Sequence, residues 1–325
     1  MKIIFAGSEN RQGFTEVLVP VKAKHLLVSY FYMRKENRAK LHTQLTELRK
    51  QANYLFLDSG AHSFLTASWE RAWGGGSWKK KKTLDPFTYV KDYVDWLKEF
   101  EGYFDAIAEL DVAWVYWVTY DDVEDWRKQF CSIGIKNKLV VVSHYRMFTK
   151  LFWGWTKEWE RLCTEYPLLA IGDQPPENVL DMHFAIWKKV GNLNRVHGFA
   201  ETKIGKVLKY PYYSVDSTSW SIGSRFWIMQ ALDEENMAFK VLWSLDRTKT
   251  DTIEAAKEKF SKHMYPIIDK NMKWHPIDDF FDWSWWKYRD MQNCYSYMRL
   301  EEIVTQAWAK RGIDLETNLP KNYAR

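Results

Sequence analysis

The stretch Tyr212-Tyr213-Ser214-Val215-Asp216-Ser217-Thr218-Ser219-Trp220 begins as a strand and ends as a cluster of polar groups. Tyr212, Tyr213 and Val215 suit a pleated, half-buried surface. A carboxylate, three hydroxyls and an indole follow, and at a buried strand end each of these needs a partner. Tyr54-Leu55-Phe56-Leu57-Asp58-Ser59-Gly60 has the same form: an apolar run, an Asp, then small residues.

The same punctuation recurs along the chain. Lys2–Ala6 is closed by Gly7, and His25–Phe31 is a second apolar run. Ala106–Leu110 ends at Asp111, Leu139–Val142 at Ser143-His144, and Leu168–Ile171 at Gly172-Asp173. Arg195–Phe199 holds His197 and Gly198, with Glu201 just beyond. Helix-like segments lie between these runs. Glu36–Gln51 carries Leu41, Leu45 and Leu48 on one face, and Asp85-Pro86 is a strong helix start. Phe87, Val90, Val94 and Leu97 are the expected apolar stripe of the helix that follows. Tyr120–Ile133, Lys157–Glu165 and Pro176–Val190 read as further helices, the last with Asn178, Asp181 and Lys188 facing out.

Strand and helix in alternation imply a parallel sheet, and eight such strands predict an α/β fold of (β/α)8 TIM-barrel type. A doubly wound open sheet is the alternative, but Gly7-Ser8-Glu9-Asn10 does not supply the G-x-G-x-x-G turn that it calls for. Residues 1–230 are the expected barrel core, interrupted at 70–84 by a Gly-rich, basic insertion. Residues 231–325 are expected to be an aromatic-rich helical extension, with helices over Glu234–Leu242, Thr252–His263 and Tyr288–Lys310.

A length of 325 residues suits such a barrel, and a net charge of +5 is compatible with nucleic acid without requiring it. Nineteen tryptophans exceed ordinary use; most serve packing, but indoles also stack on bases and sugars. The three cysteines, Cys131, Cys163 and Cys294, are odd in number and widely spaced, so no disulfide framework is implied and a reducing cytoplasm is expected. No apolar run reaches membrane-spanning length, and Met1–Gly7 reads as a strand rather than a signal peptide. His263, His275 and Cys294 match no common zinc spacing, so a metal is not expected.

In a barrel of this type, functional side chains gather at the C-terminal ends of the strands. Asp58, Asp111, His144, Asp173, Glu201 and Asp216 all follow strand-like runs. Any one of them is as well explained as a loop cap, but several in corresponding places would bring carboxylates to one rim. Paired carboxylates suit glycosyl chemistry: one attacks the anomeric carbon, the other manages the leaving group's proton. Ser217, Thr218 and Ser219 are candidates to hold a phosphate or to orient Asp216. His62, His144 and His197 are each a base, a ligand or a satisfied core residue, with structural or supporting service favoured for His197. Lys79, Lys80, Lys81 and Lys82, beside Trp78, are either a solvated loop or a phosphate contact.

Six segments carry a resemblance: Leu57-Asp58-Ser59-Gly60-Ala61, Glu109-Leu110-Asp111-Val112, Val142-Ser143-His144, Ala170-Ile171-Gly172, Val196-His197-Gly198-Phe199, and Ser214 to Trp220. In this order the chain resembles the tRNA-guanine transglycosylase superfamily, most of all the phage-type 7-deazaguanine DNA transglycosylases. The resemblance implies a barrel enzyme that exchanges guanine for a 7-deazaguanine such as preQ0, in DNA or in tRNA, without cutting the backbone and without a cofactor. It implies that Asp216 is the nucleophile, Asp58 the acid/base residue and Asp111 a reader of the base edge. It also places Ser59, Gly60, His144, Gly172 and Asp173 in the base pocket. His62, His197, Ser217, Thr218, Ser219 and Trp220 then support the site or meet the sugar-phosphate, and a phage enzyme would work in its host's cytoplasm. The chain departs from the tRNA enzymes in lacking their C-x-C-x2-C zinc site, in carrying His62 where Phe is usual, and in placing Asp173 after Gly172. The residues themselves leave open which of Asp58 and Asp216 attacks. They also leave room for a two-carboxylate glycoside or nucleoside hydrolase, or for a non-catalytic nucleic-acid binder, and they do not fix the oligomeric state.

Overall fold

The structure is a computed structural model and describes residues 1–70, 79–80, 85–112, 118–144, 154–172, 174–191, 195–222, 228–243, 253–281, 286–316 and 319–320. Eight parallel strands close a barrel: β1 Lys2–Ala6, β2 His25–Ser29, β3 Tyr54–Asp58, β4 Ala106–Ala108, β5 Leu139–Ser143, β6 Leu168–Ile171, β7 Arg195–Gly198 and β8 Ser214–Ser217. Their order around the barrel follows the sequence, so the (β/α)8 expectation holds. Nearly every strand residue is buried, as strands covered on both faces must be. By compactness the chain divides into His25–Phe199 and a second unit made of Met1–Lys24 with Ala200–Arg325.

In the His25–Phe199 unit the helices that follow the strands are α1 Arg38–Gln51, α2 Ala61–Ser68, α3 Pro86–Phe100, α4 Tyr120–Ser132, α5 Trp155–Glu165 and α6 Glu177–Lys189. Side-chain caps fix several starts. The Asn37 carboxamide accepts from the Ala39 and Lys40 amides, Asp85 caps Thr88 ahead of Pro86, and Thr119 with Asp122 forms a reciprocal capping box. Leu41, Leu45 and Leu48 are buried as expected, and Asn178, Asp181 and Lys188 face out. The stripe expected on α3 is corrected at one position: Phe87 is 43% exposed. Tyr89, Tyr93, Trp96 and Phe100 join Val90, Val94 and Leu97 inside: Tyr30 offers aromatic faces to the first three and stacks on Tyr93 at 4.3 Å, and Phe100 stacks on Trp96.

At the insertion, Trp69–Glu70 pairs antiparallel with Lys79–Lys80, a short ladder where only a loop was expected. Lys81 and Lys82 lie outside the described residues.

In the other unit, β8 is followed by a 3-10 turn at Ser219–Ser221 and then by the extension. Its longer helices are α7 Ile204–Lys209, α8 Ile253–His263 and α9 Trp286–Lys310. Glu234–Leu242 is not a helix. It belongs to a hairpin of β9 Ile228–Asp233 and β10 Ala238–Trp243. Asp233 accepts from the Asn236 backbone and side-chain amides, Met237 is left-handed at φ 46°, and Lys240 bridges back to Asp233. This turn chemistry overrides the helical preference of Glu234 and Glu235. Met229 and Ala231 of β9 pack with Phe260, Met264, Ile268, Met272, Phe280 and Phe281. Helix α9 lies against β1, α7 and β9, and buries polar side chains to do so. Asn293 meets the Gln230 amide and the Trp220 carbonyl, Ser296 the Gln230 carbonyl, and Glu301 the Ile3 amide. Each such bond gives a backbone polar group a side-chain partner.

Candidate active site

In the His25–Phe199 unit, the end of β3 turns tightly. Asp58 accepts from the Gly60 amide at 2.9 Å, and Gly60 sits at φ +77°. A Cβ at Gly60 would lie 2.3 Å from Phe31 Cβ and 2.7 Å from Ser29 Oγ, so only glycine fits. Ser59 is fully buried, and its carbonyl accepts from the Tyr89 hydroxyl at 2.7 Å. The Ser29 and Ser59 hydroxyls are buried without a partner among the described residues. Ser29 is the register partner of Asp58 on the neighbouring strand, a position that the sequence did not single out. Burial, then the Asp58 charge, pushes the Tyr93 phenol far above its usual value. The Tyr93 hydroxyl donates to the Ala108 carbonyl at 3.2 Å, which ties α3 to the next strand end.

Past β4, Glu109 and Arg127 form a buried, two-pronged ion pair, Nε to Oε2 at 2.7 Å and Nη2 to Oε1 at 2.8 Å. Glu109 Oε1 also accepts from the Val142 amide at 2.8 Å. Burial opposes the Arg127 charge, but the Glu109 carboxylate outweighs it and raises the guanidinium further. This pair fastens the segment leading to Asp111 onto the strand that ends at Ser143-His144. Sequence reasoning missed the pair; a lone Glu between Ala108 and Leu110 in an apolar run was its only signal.

Asp111 and His144 are brought together: His144 Nε2 is hydrogen-bonded to Asp111 Oδ1. The imidazole lies over Gly172, where a Cβ would stand 2.7 Å from His144 Cε1. Aspartate, imidazole and glycine backbone therefore interlock across the ends of β4, β5 and β6. Next to them, His183 Nδ1–H donates to the Val179 carbonyl and its Nε2 faces the Ser143 hydroxyl at 3.3 Å. Burial lowers the pKa of His183 to about 4, which keeps it neutral. His197 is buried and stacks on Phe56 at 4.8 Å, whereas His62 is exposed on α2. Asp173 lies outside the described residues.

In the other unit, Asp216 is the third residue of β8 and stands beside Ile4 of β1. Its Oδ1 accepts from the Ala200 amide at 2.7 Å. Ser217 is buried and its Oγ accepts from the Ser219 amide, whereas Thr218 is exposed and its carbonyl accepts from Ser221. Trp220 is buried, and its Nε1–H donates to the Ala6 carbonyl at 2.8 Å, so this indole braces the strand ends. Glu201, also buried, takes the Lys206 ammonium at 2.7 Å. His275 is buried between Trp274 and Tyr288 and paired to Asp279. Among the described residues no three His, Cys, Asp or Glu side chains gather where they could hold a metal ion. Among the described residues, too, no helix is long and apolar enough to cross a membrane.

Fold and site define a (β/α)8-barrel protein whose parallel strands end in carboxylates, hydroxyls and an imidazole. No known family model matches the chain, and no curated protein matches it either. Among solved structures it is similar to a variant of the glycoside hydrolase domain of PelA from Pseudomonas aeruginosa. That match has a TM-score of 0.35 and 9% identity, over 66% of this chain and 93% of that one. A likeness this loose carries no chemistry across.

Proposed function

We propose that this protein is a pentosyl-transferring enzyme that exchanges guanine in DNA for a 7-deazaguanine base through a covalent aspartyl-sugar intermediate. One observation carries the reading. The segments that resemble the transglycosylases fall at the C-terminal ends of six barrel strands in succession, β3 to β8. In a barrel of this type that end is where catalysis resides.

In this reading the target nucleotide leaves its stack, at a cost of roughly a few kcal/mol that the pocket must offset. An Asp216 oxygen attacks C1′ as the bond from C1′ to guanine N9 breaks, and the departing base takes a proton from Asp58. The incoming deazaguanine returns a proton to Asp58 as its own nitrogen displaces the Asp216 ester at C1′. Two displacements retain the sugar's configuration, as in a retaining glycosidase with a base in place of water. Asp111, fixed by His144, supplies an acceptor for donors on the base edge. The backbone of the nucleic acid is not cut, and the balance requires no oxidant or reductant.

The test is incubation of the protein with DNA, or with tRNA, and isotopically labelled guanine. Label entering DNA supports the reading, and label entering tRNA alone moves the same chemistry to RNA. Release of free guanine with abasic sites indicates hydrolysis by the two carboxylates, and binding with neither outcome sinks the catalytic reading.

A further inference from the structure

Asp216 is held by a residue in an uncommon conformation. Ala200, which donates its N–H to Asp216 Oδ1 at 2.7 Å, sits at φ +51° although it is not glycine. Left-handed backbone at an L residue persists only where the surroundings over-determine it, and such residues collect at functional sites. The next residue is buried and ion-paired. Glu201 is 2% exposed, and its Oε2 holds the Lys206 ammonium at 2.7 Å, with that side chain 11% exposed. Lys206 belongs to α7, which Trp308 of α9 anchors by donating to the Val207 carbonyl at 3.0 Å. The other Glu201 oxygen is buried with no partner among the described residues. A buried ion pair that leaves an oxygen unsatisfied is a poor source of stability, so its use lies elsewhere.

We propose that Glu201 is a positioning residue for Asp216: its buried pair with Lys206 holds Ala200 left-handed, and the Ala200 N–H thereby fixes the rotation of the Asp216 carboxylate. This rests on the reading of Asp216 as the nucleophile. A nucleophile whose rotation is fixed before substrate arrives meets C1′ in line more often, which shows in kcat rather than in KM.

The experiment uses the full chain and two independent variants, Glu201→Leu and Lys206→Met, so that one failing to fold leaves the other. Hydrogen exchange of the Ala200 amide reads the contact without reference to any reaction. It is expected to speed up on the order of 10-fold or more in both variants, beyond any change at strand amides. In the labelled-guanine assay kcat falls on the order of 10- to 100-fold with KM within about 3-fold, and Glu201→Gln, which keeps an oxygen for Lys206, recovers part of the loss. Unchanged exchange at Ala200 overturns the proposal. So does a loss of kcat that only tracks a lowered Tm, which marks the pair as structural. If Asp216→Asn leaves base exchange intact, the functional reading falls instead, and the Ala200 amide still decides whether the pair holds the contact.

Discussion

Replacing Arg127 by Met tests the buried pair that fastens the Asp111 and His144 segments. Arg127 and Glu109 side chains are 3% and 5% exposed, and the guanidinium holds both Glu109 oxygens at 2.7 and 2.8 Å. Removing it leaves the Glu109 carboxylate buried with the Val142 amide at 2.8 Å. It also takes a cation from Glu124 and Glu158. Breaking one side of a buried pair costs about 3–5 kcal/mol, because the remaining charge cannot recover its hydration. A urea m-value near 3 kcal/mol/M converts this to a midpoint lowered by about 1–2 M. Tryptophan fluorescence and far-UV circular dichroism, followed together, supply the midpoint and show whether the transition is shared. Replacing both residues by Met removes the stranded charge, and the double variant is expected within about 1–2 kcal/mol of the parent. An Arg127→Met midpoint within about 0.3 M of the parent, or a double variant no better than the single, refutes the reasoning.

Three further outcomes follow from the same geometry. The folded-state pKa of His183, near 4, lies below its ordinary 6.5, so the unfolded chain takes up this proton first as pH falls. Its contribution is whole above pH 6.5 and is lost toward pH 4, by roughly 3 kcal/mol in all. The parent minus a His183→Gln variant, in urea melts across that window, should show the slope, and a flat difference contradicts it. Gly60→Ala meets Phe31 Cβ at 2.3 Å at a left-handed position and is expected to cost about 2–4 kcal/mol; a Tm equal to the parent's would show that the turn is not as described. Gly172→Ala puts a methyl 2.7 Å from His144 Cε1 and so displaces the imidazole from Asp111. Base exchange should fall on the order of 10-fold or more, and undiminished activity would remove that dyad from the account.

The barrel was legible because its strands announce their own ends. Asp58, Asp111, Ser143 and Gly172 each stop an apolar run where the chain must leave the sheet, and Asp85-Pro86 starts a helix by local chemistry alone. What stayed hidden depends on contacts distant in sequence. Phe87 has the spacing of a core residue, yet the aromatic faces around Tyr30 draw in Tyr89 and Tyr93 instead. Helix α9 buries Asn293 and Ser296 because β9 needs their polar atoms, which no periodicity reveals. The hairpin at Asp233 was missed because its turn holds no glycine or proline and its left-handed residue is Met237. Ala200 was invisible for the same reason. Asp216 itself was legible as a residue of interest, but the amide that orients it was not.

The central claim is a covalent bond between Asp216 and a sugar carbon. It is tested most directly by mixing the protein with guanine-containing DNA without an incoming deazaguanine, quenching in acid, and analysing the protein and its peptides by mass spectrometry. The account predicts a nucleic-acid adduct on the peptide that carries Asp216, absent from Asp216→Asn and dispersed when free 7-deazaguanine is added before the quench. An adduct on another residue, or base exchange that proceeds undiminished in Asp216→Asn, contradicts it.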